Sequence, residues 1–131
     1  MKLINAQPIQ TPHLNHARLR LAAVITSTGA RRWGREATLR SIFHPSASVI
    51  GNYQNAVEWL SVDAYVGEVL GAGLPPNHGP SWTISLIDVT NDAAIVKIEN
   101  EFGSMKFTDY LSLLKISGEW KIVGKLYHLH Q

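Results

Sequence analysis

The chain has no cysteine, which excludes disulfides, zinc–thiolate centres and thiol nucleophiles. It has no apolar run near the roughly 20 residues of a membrane-spanning helix. Residues 1–12 lack the continuous apolar stretch of a secretory leader. Charge of one sign is also scarce: 12 basic and 10 acidic residues leave a formal +2. So small an excess is not the basic stripe that nucleic acid calls for. The densest basic group, Arg31, Arg32 and Arg35, reads as a solvated helix end. Gly67, Gly71 and Gly73 come without the lysine and hydroxyl residue of a phosphate-binding loop. The expectation from these absences is a cytoplasmic protein with no nucleic-acid or membrane partner and no resident cofactor.

What is present is globular. Of the 131 residues, 45% are hydrophobic and 17% charged, enough for one domain with a core of its own. Residues 1–13 carry Pro8 and Pro12 without a clear period and read as an N-terminal arm; residues 14–131 read as a single domain. Apolar residues at Leu14, Ala17, Leu21, Val24 and Ile25 have helical spacing. A shorter helix follows through Ala37, Leu39, Ile42 and Phe43, ending before His44-Pro45 because proline disfavours helix at the preceding residue. Residues 47–53 and 57–60 read as strands. Ser61 is an N-cap, with Asp63 in the first turn, for a third helix over residues 62–70. Beyond a Gly/Pro-rich loop, residues 82–89, 94–102, 105–116 and 120–130 alternate and are rich in β-formers. Gly103-Ser104 and Ser117-Gly118 mark tight hairpins between them. The expected fold is α+β, in the order α-α-β-β-α-β-β-β-β: three helices on a strongly curved, mainly antiparallel sheet that encloses a pocket.

Counting register through two tight hairpins pairs Phe107 with Asn100 and Asp109 with Ile98, and then Leu126 with Asp109 and His128 with Phe107. One face then carries Val96, Ile98, Phe107, Leu111, Leu113, Ile122 and Leu126, with Asn100, Asp109 and His128 as polar islands. A buried carboxylate needs a partner, and on this count the diagonal neighbour of Asp109 is His128. The two could simply satisfy each other, contact a ligand, or act as an acid–base pair in which Asp109 orients the imidazole. Asn100, His44, Tyr53 and Trp59 are further candidates for lining a mainly apolar pocket. His128-x-His130 has metal-ligand geometry only if Asp109 adds a third donor; no metal is expected. The opposite face, with Lys97, Tyr110, Leu114, Val123 and Lys125, suits a sheet-on-sheet homodimer contact.

The run from Phe107-Thr108-Asp109-Tyr110 through Ser117-Gly118-Glu119-Trp120-Lys121-Ile122-Val123, followed by Lys125 and His128, resembles the C-terminal signature of the nuclear transport factor 2-like superfamily. Leu39 and Phe43-His44-Pro45-Ser46-Ala47 match its junction from second helix to first strand. The resemblance spans roughly residues 14–130 and is strongest to the group labelled "putative lumazine-binding". It implies a cone-shaped fold, often dimeric, in a superfamily that mixes enzymes with binding proteins. Its ketosteroid isomerases use an aspartate base on the first strand, where this chain has Gly51, so that mechanism does not carry over. In relatives resembling limonene-epoxide hydrolases and polyketide cyclases, Asp, Arg or His act inside the cone; Asp109–His128 is the counterpart by role. The expectation is a pocket protein for a small, mainly apolar molecule. The alternatives are a cofactor-independent isomerase, dehydratase or hydrolase, or a dimeric interaction module.

Overall fold

The computed structural model describes residues 40–72, 81–102 and 104–130. The N-terminal arm, the first expected helix and most of the second lie outside the described residues. Residues 40–42 are helical, and the chain then enters a strand directly. Six strands follow: β1 (Phe43–Tyr53), β2 (Ala56–Ser61), β3 (Ser81–Thr90), β4 (Ala93–Phe102), β5 (Met105–Ile116) and β6 (Glu119–His130), with helix α1 (Val62–Ala72) between β2 and β3. They form one mixed sheet in the order β2-β1-β6-β5-β4-β3. Only the β1–β6 pair is parallel. Among the described residues there are two helical segments, where three helices were expected, and the sheet is not strongly curled.

Local chemistry explains the turns. Tyr53 pairs with Ala56 and Ile116 with Glu119, so both hairpins have two-residue loops. Gln54, Asn55, Ser117 and Gly118 all have positive φ, the backbone state that matches the twist of paired strands. The α1 N-cap forms as expected: the Ala64 N–H donates to Ser61 Oγ at 3.2 Å. Asp63 in its first turn pairs with Arg40. Val62 and Val66 are buried and Tyr65 and Val69 half-buried, a stripe at i, i+3, i+4 and i+7 that turns one helix face to the core. α1 packs on β1 and β2, and its Tyr65 ring meets that of Phe43 at 5.6 Å.

β1 begins four residues earlier than expected and runs through Pro45. The cost of proline in a strand is avoided by an irregularity: Phe43 pairs with Ile122 and Ser48 with Gly124, so the intervening residues of β1 leave the ladder, as proline requires. The core lies between α1 and the inner sheet face, around Val49, Val66 and Val96, which are fully buried.

The expected register holds from β4 to β5 and then breaks. Phe107 faces Asn100 and Asp109 faces Ile98, as counted. Across β5 and β6, Lys115 faces Trp120 and Leu113 faces Ile122, but Ser112 faces Gly124. Val123 is therefore an extra residue on β6. Beyond it the strand's side chains exchange faces. Lys125 and Tyr127, expected outside, point to the core side, whereas Leu126 and His128, expected inside, point outward.

Candidate functional site

The bulge determines who meets Asp109. Its direct cross-strand neighbour is Tyr127, and His128 faces Thr108 instead. His128 is exposed on the outer face, so the Asp109–His128 pair does not form. His128 and His130 do share a side, with ring centroids 4.8 Å apart. Asp109, the third donor such a metal site needed, is on the other face. His130 Nε2 lies 2.8 Å from Thr108 Oγ1, which donates to Glu99.

Asp109 is held by a different partner set. The Asn100 side-chain amide donates to its Oδ2, and Lys125 Nζ lies 3.5 Å from the same oxygen. Lys125 also donates to the Tyr65 hydroxyl at 2.9 Å and lies 4.7 Å above that ring. Burial alone would pull the Lys125 amine down. The Tyr65 oxygen and the Asp109 carboxylate outweigh it and hold the amine above its usual range, so it stays an ammonium at neutral pH. The remaining oxygen, Asp109 Oδ1, is buried and has no hydrogen-bond partner among the described residues. Such an orphaned acceptor is costly, and each one asks for an explanation.

All four residues edge a cavity of about 360 Å³ lined also by Val49, Tyr53, Glu58, Glu68, Val69, Met105, Phe107 and Tyr127. This is the lower end of the range for small-molecule pockets, and its wall is mainly apolar. Of the six residues expected at a site, Asn100, Tyr53 and Asp109 are on this wall. His44, Trp59 and His128 are not. His44 Nδ1 accepts from the Ser46 N–H at 3.0 Å, and Trp59 is exposed on the outer face.

The same wall carries Tyr127 and two glutamates, Glu58 and Glu68. The Tyr127 hydroxyl donates to Glu58 Oε1 at 2.9 Å. The ring reaches Glu58 by lying across Gly51: a Cβ there would sit 2.6 Å from Tyr127 Cζ. Glu58, Gly51, Tyr127 and Asp109 are successive cross-strand neighbours in one row. Burial and then the Glu58 carboxylate push the Tyr127 phenol well up, so it remains a donor. Glu68 is exposed; the little burial it has and the Glu58 charge push its carboxyl up.

The residues missed in the sequence are thus Lys125, Tyr127, Tyr65, Glu58 and Glu68. One signal would have found the first two. Gly124 interrupts an otherwise β-rich pattern, and an isolated strand glycine marks a bulge.

A six-stranded mixed sheet with a helix over one face and a cavity between them defines the NTF2-like class, and similarity to solved structures agrees. An NTF2-like protein from Silicibacter pomeroyi is 32% identical with a TM-score of 0.80, covering 92% of this chain and 100% of that one. One from Shewanella baltica superposes with a TM-score of 0.74 at 22% identity, over 97% and 99% of the two chains. Within that class the chain belongs to the family described as "Putative lumazine-binding", which it matches over residues 28–128. It is also similar to the aldolase FrzH of Cladobotryum sp., at 31% identity over 88 residues, 66% of this chain and 69% of that protein.

Proposed function

We propose that the protein binds a small, mainly apolar molecule in the cavity between α1 and the inner sheet face. The observation that carries this is a cavity of about 360 Å³ whose mainly apolar wall also carries a few polar groups, among them Asn100, Asp109 and Lys125. Apolar walls with a few fixed polar groups bury a small molecule and set its orientation. NMR titration with a neutral probe, 4-phenylbutanol, tests it. Shifts are expected at Val49, Phe107 and Tyr127; shifts confined to outer-face residues such as Ile95 and Leu126 would overturn it.

A second reading is an enzyme, and its motivation is specific. The Asp109 carboxylate lies beside the Lys125 ammonium, which in turn meets the Tyr65 hydroxyl, and all three residues line the cavity. A base next to two oxyanion donors is what proton abstraction beside a carbonyl requires. The similarity to a protein named an aldolase supports the same chemistry. The base in this reading is Asp109, with Lys125 and Tyr65 in place of His128. Proton–deuterium exchange at the α-carbon of cyclohexanone in D2O, lost in Asp109→Asn, would support it; equal exchange in both proteins rules it out.

We further infer that the outer face pairs with a second copy of the chain. The cross-strand row Trp59–Ile50–Leu126–Tyr110–Lys97–Leu86 spans all six strands. Trp59, Leu126, Tyr110 and Leu86 in it are exposed, a patch of the kind that marks an interaction surface. Leu126→Glu should turn a dimer into a monomer in sedimentation, and a monomeric parent protein would dismiss the idea.

A further inference from the structure

The geometry points to a transition-metal site on the outer sheet face, in which His128 and His130 chelate one copper(II) ion. It lies on the side of the sheet opposite the cavity and does not depend on the pocket reading.

Period-two alternation gives positions 128 and 130 one side of β6, and the bulge at Val123 makes that the outer side. Both side chains are exposed. Their ring centroids lie 4.8 Å apart with the ring planes at 87°. Two imidazoles bound to one ion, each nitrogen about 2.0 Å from the metal, have centroids roughly 4.5–5.5 Å apart. The pair therefore already stands at chelating distance.

Spacing alone would equally describe two solvated histidines. The independent observation is how His130 is held. The buried Thr108 hydroxyl has one hydrogen, which it donates to Glu99 Oε2 at 2.5 Å. The 2.8 Å contact between Thr108 Oγ1 and His130 Nε2 must then take its hydrogen from the imidazole. Nε2 carries the proton and Nδ1 keeps its lone pair. A ring N–H tied through a hydroxyl to a carboxylate is the kind of support that fixes tautomer and orientation in metal-binding histidines. Lys106 faces His130 across the strands, and its ammonium is paired with Glu101 at 3.7 Å.

Among the described residues no third His, Cys, Asp or Glu joins the pair. Zinc centres built from protein take three or four ligands, so this is an open chelate with water in its remaining positions. Imidazole nitrogens suit copper, nickel and zinc, whereas magnesium and calcium prefer oxygen; of the divalent first-row ions copper(II) binds such donors most tightly.

Copper(II) chloride added to the untagged chain at neutral pH tests this, with affinity read by calorimetry and position by NMR. Paramagnetic broadening should centre on His128, Leu129 and His130, and calcium chloride should leave those signals unmoved. His128→Ala and His130→Ala should each weaken binding there at least about tenfold, since a two-armed grip becomes one-armed. Thr108→Val should cost about 10–100-fold, the usual effect of losing a ligand's supporting partner, and Thr108→Ser should restore the affinity. Broadening centred on another histidine, such as His44, overturns the inference. Copper affinity unchanged in either histidine variant also overturns it, as does a Thr108→Val protein, folded by circular dichroism, that binds as tightly as the parent. Should Thr108→Val fail to fold, the two variants at the exposed histidines still decide.

Discussion

Two lysine–carboxylate pairs on the same sheet make an instructive contrast. Lys125–Asp109 on the inner face and Lys106–Glu101 on the outer face beside the β4–β5 turn have similar separations, 3.5 and 3.7 Å. Their surroundings differ: side-chain exposure is 11% and 6% in the first pair, 69% and 54% in the second. In water the attraction is screened and the side chains stay mobile. In the cavity wall the same two groups cannot be separated without stranding a charge. Distance alone therefore says little about what an ion pair contributes. The difference is made by the low-dielectric wall around it.

The largest effect should come from breaking the inner pair on one side only. Lys125→Met leaves Asp109 buried without its cation and should cost about 3–5 kcal/mol in urea unfolding. Adding Asp109→Leu should restore much of that loss, since replacing a buried pair by apolar groups is often neutral; a double variant as unstable as the single one would contradict this account. The same pair sets an alkaline limit. Because the folded protein holds the Lys125 amine above its unfolded value, its stabilisation is complete below about pH 10 and is lost as pH rises further. Unfolding free energy should be flat from pH 8 to about 10 for this pair and fall beyond.

Next in size is Gly51→Ala, which drives a methyl group into the Tyr127 ring and should cost about 2–3 kcal/mol as overpacking. Tyr127→Phe removes only the hydroxyl's bond to Glu58 and should cost about 1 kcal/mol in urea unfolding. The smallest is Lys106→Ala on the outer face, expected within about 0.5 kcal/mol of the parent. A Lys106 effect as large as that of Lys125 would erase the contrast.

Much of this was legible beforehand because the signals were local. The Ser61 cap, the two-residue turn at Ser117-Gly118 and the β4–β5 register each depend on residues near one another in the chain. The burial of Asp109 and Asn100 followed from that register. The exchange of His128 for Lys125 and Tyr127 was not read, because a tight turn fixes pairing only until the ladder slips. One extra residue at Val123 inverted every later assignment on β6, and with it the presumed partner of Asp109. Tyr65, Glu58 and Glu68 come from other elements, α1 and β2, whose approach to β6 is set by tertiary packing and leaves no periodic trace.

Gly51 also constrains which other sequences this site can reach. A side chain at 51 and an aromatic ring at 127 compete for one volume, so changes at the two positions are not independent steps. Introducing a first-strand carboxylate by Gly51→Asp would be tolerated only after Tyr127 had shrunk, for example through Tyr127→Ala. That earlier change would in turn release Glu58 from its hydroxyl partner. The route between this site and one with a first-strand base therefore has an obligatory order, and its intermediate has neither the tyrosine nor the aspartate.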